Sequence, residues 1–107
     1  MPKAVYIRHD GQRTTLDIPE GTSLMRGAVN NDVDGIVGEC GGQMMCATCH
    51  VYVEAEFLAR LPEVSEDEDI MLEETACPRQ PNSRLSCQIT ANAATDGIVV
   101  RTPETQL

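Results

Sequence analysis

Residues 35–49 read GIVGECGGQMMCATC, with cysteines at Cys40, Cys46 and Cys49. Four glycines and three cysteines share fifteen positions without a helical or strand period, so the stretch reads as an ordered loop wrapped around something. The spacing is C-x5-C-x2-C, and Cys87 stands in a distant strand-like segment. Three thiolates from one loop and a fourth from a strand can surround an iron–sulfur core while tying loop to sheet. Gly41 and Gly42 beside Cys40 permit backbone turns that aim N–H groups at sulfur, and Thr48 offers a hydroxyl donor. Such donors stabilise a more negative reduced state and raise its potential.

Three other chemistries use thiols in related patterns. Residues 46–50 (CATCH) match the C-x-x-C-H haem attachment pattern, but that reading leaves Cys40 and Cys87 idle and normally follows export. A structural zinc site would draw on two short C-x2-4-C knuckles, and the sequence has one. A C-x-x-C dithiol pair sits between a strand and a helix, whereas here a glycine-rich loop precedes the pair and a strand follows. Five cysteines with no export signal fit a metal site in a reducing compartment better than a closed disulfide framework. Cys77, outside the ligand pattern, reads as a spectator thiol. His50 reads as a hydrogen-bonded strand histidine, and Met44 and Met45 as shielding or contact residues.

Outward from the loop, residues 4–8 and 14–18 alternate as two strands joined by a turn at Asp10-Gly11. Pro19 and Gly21 interrupt, Thr22 offers a cap, and Leu24, Met25, Ala28 and Val29 share one face of a short helix. After the loop, residues 50–53 resume as a strand and residues 56–61 form a helical turn. Residues 65–68 (SEDE) form a capping box opening a helix to about residue 74. Alternation over residues 85–89 points Leu85, Cys87 and Ile89 to one side, and residues 98–100 form a last strand after Asp96-Gly97. Strands at both ends around a helix and an irregular middle predict one mixed α+β domain over residues 1–107.

The 107 residues carry 17 acidic and 8 basic side chains, a formal charge of -9. That balance argues against nucleic acid and anionic membrane, and for a basic protein surface as partner. No apolar run approaches a bilayer span, so the expected setting is cytoplasmic, or an organelle matrix after processing. With no Trp, one Phe and two Tyr, neither a base-stacking platform nor a large aromatic pocket is evident. Between Leu61 and Pro78 the acids are Glu63, Glu66, Asp67, Glu68, Asp69, Glu73 and Glu74, with no base among them. Acids in a first helical turn add roughly 0.3–1 kcal/mol each. Glu73 and Glu74 sit at the wrong end for that, and Asp69 with Glu73 is a repulsive i, i+4 pair. Stability therefore leaves part of the run unexplained, and docking on basic partners explains the remainder. Arg84 is a candidate counter-ion for one acid of this helix.

At these residues the chain resembles the vertebrate-type 2Fe-2S ferredoxins, the family of adrenodoxin and putidaredoxin. The resemblance rests on C-x5-C-x2-C, on CATCHVYV at 46–53, MLE at 71–73, NSRL at 82–85, CQI at 87–89 and DGIVV at 96–100. It implies a β-grasp fold with a packed helix, an irregular cluster-binding loop and a short acidic interaction helix. It further implies one 2Fe-2S cluster, with Cys40 and Cys46 on one iron and Cys49 and Cys87 on the other. Gly41, Gly42, Thr48 and His50 form the cluster environment, and Glu66, Asp67, Glu68, Asp69, Glu73 and Glu74 form the partner surface. The bacterial members imply a monomeric electron carrier, not an enzyme, running from an NADH-dependent flavoprotein ferredoxin reductase to a haem-thiolate monooxygenase of the cytochrome P-450 type. A branch with the same cysteine spacing serves iron–sulfur cluster assembly, and a zinc-stabilised binding module is the remaining alternative. Putidaredoxin ends in an aromatic contact residue, whereas this chain ends in Leu107. Pro103 stands where the family ends its last strand with a proline.

Overall fold

Apolar residues at alternate positions of Lys3–Ile7 (β1) put Ala4 and Tyr6 inside, while its neighbour Arg13–Asp17 (β2) carries an outward polar edge. In the computed structural model, which describes residues 2–31, 49–73, 75 and 77–103, these strands pair antiparallel from Lys3↔Asp17 to Ile7↔Arg13. Both strands start and end one residue earlier than the alternation predicts. The turn consumes Arg8 and Gln12 in a backbone hydrogen bond of 2.8 Å, and Asp10 Oδ1 accepts from the Gln12 N–H at 3.0 Å. Gly11, at φ 91°, supplies the left-handed backbone this closure requires.

Leu24–Asn30 (α1) buries Leu24, Met25, Gly27 and Ala28. Its cap is Ser23, whose Oγ accepts from the Arg26 N–H at 3.0 Å, and not the expected Thr22. The reason is tertiary. The Thr22 carbonyl accepts from Ala91 N–H, and the Leu24 N–H donates to the Ile89 carbonyl. That extended pairing fixes the chain through Ser23, and the helix starts after it. Tyr6 O–H donates to the Leu24 carbonyl at 2.8 Å, joining helix to sheet.

His50–Val53 (β3), Ser83–Leu85 (β4) and Ile98–Arg101 (β5) complete a five-stranded sheet of order β2-β1-β5-β3-β4. The β1–β5 pair is parallel and the other strand pairs are antiparallel, so the first and last strands lie side by side within a mixed sheet. Ala55–Leu58 (α2) and Glu66–Leu72 (α3) are the two short helices between β3 and β4. The core gathers Tyr6, Leu24, Val51, Leu72, Leu85 and Ile98 between sheet and helices. This is the α+β β-grasp architecture expected from the sequence. The strand expected over residues 85–89 stops at Leu85 and turns into a 3-10 helix, Ser86–Gln88. Both the N–H and the Oγ of Ser86 donate to the Cys49 carbonyl, at 2.9 and 2.8 Å, which bends the chain at this point. Cys87 consequently sits half-buried on a turn instead of fully inward on a strand.

Candidate metal centre

Of the four predicted thiolate ligands, Cys49 and Cys87 are among the described residues, and the fold brings them together. Cys49 immediately precedes β3 and is buried, while Cys87 rides the 3-10 turn after β4. The two thiols are neighbours; the Cys87 sulfur and burial both push the Cys49 thiol far up from its ordinary value. Two thiolates so placed would repel in a poorly solvated site, and a cation held between them removes that cost. Soft sulfur donors favour iron–sulfur clusters and zinc over oxygen-seeking cations, so the pair fits an iron–sulfur group. Cys40 and Cys46, with Gly41, Gly42, Met44, Met45 and Thr48, lie outside the described residues. Among the described residues no three His, Cys, Asp or Glu side chains gather as a metal site.

Two donors around the sulfurs were not foreseen in the sequence. Gln88 Nε2 lies 3.4 Å from Cys87 Sγ, an N–H···S contact that favours negative charge on that sulfur. Ser86 fixes the Cys49 backbone through its paired bonds to the Cys49 carbonyl. Both flank Cys87 in sequence, and position alone was their only signal.

His50 is fully buried and bonds Ser83 Oγ through Nε2 at 2.8 Å, linking β3 to β4. The Gln80 N–H also donates to Ser83 Oγ, and Tyr52 packs edge-on to the imidazole with centroids 4.6 Å apart. His50 is thus the strand histidine that its position predicts. Burial, with a smaller contribution from the Arg79 charge, pushes its pKa down to about 4. The unfolded chain therefore binds this proton first, and the ring's contribution to stability declines as pH falls from about 6.5.

The acidic helix α3 corrects two expectations. Ser65 Oγ caps it by accepting from the Glu68 N–H at 3.2 Å, but the Glu68 carboxylate does not close the box. It turns inward, takes both arms of Arg84 at 2.8 and 3.0 Å, and accepts the Leu85 N–H at 2.9 Å. With side-chain exposures of 1% for Glu68 and 5% for Arg84, this is a buried ion pair. Glu68 is withdrawn from the partner surface. Arg84 does pair with an acid of the helix, as expected, and also donates to the Pro62 carbonyl. The second correction concerns Asp69 and Glu73, whose repulsion is relieved by Arg79. Its guanidinium bridges both carboxylates at 2.6 Å each. Arg79 lies one residue beyond the acid run as bounded by Pro78, and so escaped the sequence reading. Glu66 and Asp67 are exposed, and Glu74 lies outside the described residues.

The model of the 2Fe-2S iron-sulfur cluster binding domain matches residues 7–92. The chain belongs to the 2Fe-2S ferredoxin family. The ferredoxin is 48% identical to rhodocoxin of Rhodococcus erythropolis across the whole of both chains. It is similar to the crystal structure of reduced putidaredoxin from Pseudomonas putida, with a TM-score of 0.96 and 50% identity over 98% of this chain and 99% of that one. Putidaredoxin in its covalent complex with putidaredoxin reductase matches with a TM-score of 0.92 and 51% identity over 94% and 97%. The ferredoxin carries one 2Fe-2S cluster and is an electron carrier, not an enzyme. The haem-attachment, zinc and dithiol readings fall with that assignment.

Proposed function

We propose that residues 1–107 form a single cytoplasmic, monomeric ferredoxin domain that takes single electrons from an NADH-dependent flavoprotein reductase and delivers them to a cytochrome P-450 type monooxygenase. The observation that carries this reading is the covalent reductase complex of a relative 51% identical to this chain. Among the described residues no helix is long and apolar enough to cross a membrane.

Cys40, Cys46, Cys49 and Cys87 would hold the cluster. The cluster supplies a one-electron couple at fixed geometry. The protein decides where that couple sits and who reaches it. Ser86 locks the backbone of one ligand to the turn bearing another. The Gln88 amide favours the more negative state through the Cys87 sulfur. The buried Glu68–Arg84 pair anchors α3 to β4, two residues before the turn that bears Cys87, and so fixes the docking helix relative to the centre.

Glu66 and Asp67, exposed at the start of α3, steer basic partners, with Ile70 as an apolar contact at 58% exposure. Charge steering raises encounter rates more than residence times, which suits a carrier that must leave each partner. Neutralising both residues as Glu66→Gln with Asp67→Asn is expected to slow partner reduction about 3- to 10-fold at low ionic strength and to flatten its salt dependence. Unchanged rates would remove the docking role of this end of the helix.

The functional assignment is tested by anaerobic stopped-flow oxidation of the reduced protein against a substrate-bound haem-thiolate monooxygenase and, in parallel, a cluster-assembly scaffold complex from the same source. Fast, salt-sensitive transfer to the monooxygenase is the expected result. Transfer confined to the scaffold complex would place the protein in cluster assembly and overturn the proposal.

A further inference from the structure

We propose that Arg79 is an internal competitor for the docking face, holding the Asp69 and Glu73 carboxylates that a partner's basic groups would otherwise take. The proposal deepens the docking role of α3 and rests on it. Arg79 lies on the segment joining α3 to β4, and its Nη2 meets Asp69 Oδ1 while Nη1 meets Glu73 Oε1, each at 2.6 Å. Nη1 also donates to the Asp69 main-chain carbonyl at 3.2 Å. The guanidinium thus spans an i, i+4 pair of acids as an arginine arriving from outside would.

Exposure makes the clamp reversible. The Asp69 and Glu73 side chains are 61% and 69% exposed, so a partner's guanidinium or ammonium reaches the same oxygens. Ion pairs this open to water are weak and exchange readily. The buried Arg84–Glu68 pair, by contrast, cannot be displaced without unfolding its surroundings. The helix therefore presents two regions of different availability. Glu66 and Asp67 are exposed and, among the described residues, carry no ion pair, whereas Asp69 and Glu73 are already half-neutralised. A partner whose cations meet the first region docks at full strength; one that needs the second must displace Arg79. The consequence is a weaker, faster-exchanging complex with any partner that covers the whole helix.

The test uses holo-protein and cytochrome c, a basic haem protein, as a probe electron acceptor that does not depend on the identity of the natural partners. Second-order reduction rates are measured by anaerobic stopped flow from low to high salt, with circular dichroism and the cluster's visible spectrum as folding controls. Arg79→Gln is expected to raise the rate about 3- to 10-fold at low salt and to match wild type at high salt. In a background carrying Asp69→Asn and Glu73→Gln, the same substitution is expected to have little effect, because nothing is left to release. An equal gain in both backgrounds would mean that Arg79 acts only through net charge and would overturn the clamp. A slower Arg79→Gln protein with intact spectra would make the residue a helix brace and overturn it too. If Glu66→Gln with Asp67→Asn and Asp69→Asn with Glu73→Gln all leave the rate and its salt dependence untouched, the docking role of the helix fails as well, a result distinct from either of these.

Discussion

Cys49→Ser is expected to abolish the cluster, leaving iron and labile sulfide below about a tenth of wild type and no visible absorption band. Cys49 is 2% exposed, and its carbonyl is held by both the N–H and the Oγ of Ser86, so the backbone is not free to bring another donor into its place. A serine hydroxyl binds iron less readily than a thiolate because it is harder to deprotonate and is a harder ligand. Cys87→Ser is expected to lose the cluster for the same chemical reason, with the Gln88 amide left facing a hydroxyl. Cys77→Ser is the internal control and should retain full iron content. Full incorporation in Cys49→Ser would exclude that residue from the ligand set.

Arg84→Ala carries the largest expected loss of stability, about 3–5 kcal/mol. The substitution strips the counter-ion from Glu68, a carboxylate with 1% side-chain exposure, and deprives the Pro62 carbonyl of its donor. The carboxylate keeps one partner, the Leu85 N–H, which is too little to hold a charge away from water. The loss corresponds to a fall in Tm of roughly 12 °C or more for a chain of this size, measured on holo-protein. Arg84→Lys, which keeps the charge but not the two-armed geometry, should fall between wild type and Arg84→Ala. A Tm within a degree or two of wild type in Arg84→Ala would mean that the pair contributes nothing to the fold.

The ion pair also marks what the sequence conceals. Residues 65–68 carry a capping-box signature, and a local reading assigns Glu68 to the helix start and to a solvated acidic face. The structure uses only the Ser65 half of that motif, because Arg84 and the Leu85 N–H on β4 offer Glu68 a better site than the Ser65 N–H. Nothing between residues 65 and 68 encodes a partner on another element. Arg79 escaped for a related reason, since a charge run drawn along the chain ends at Pro78, while a guanidinium reaches across space. Thr22 and Ser23 are both competent caps, and the pairing with residues 89–91 decides between them. Apolar alternation over residues 85–89 reads as a strand, yet Ser86 bends the chain by bonding a residue on a different strand.

What local physics determines was legible. The Asp10-Gly11 turn, the apolar face of α1, the strand at residues 50–53 and the final strand all appear where their side chains require them. Cys49 and Cys87, far apart in sequence, lie next to each other in the fold. Strand order was not legible, because the parallel β1–β5 pair joins the two ends of the chain through contacts that no short motif specifies.

The most direct test of the account is an anaerobic redox titration of the purified protein, followed by electron paramagnetic resonance with iron and sulfide analysis on the same sample. A 2Fe-2S ferredoxin is expected to give two irons and two labile sulfides per chain, a single reversible one-electron wave, and a spin signal in the reduced state integrating to one per chain. A colourless zinc protein, or a centre that takes up two electrons, from iron-replete cells would contradict it.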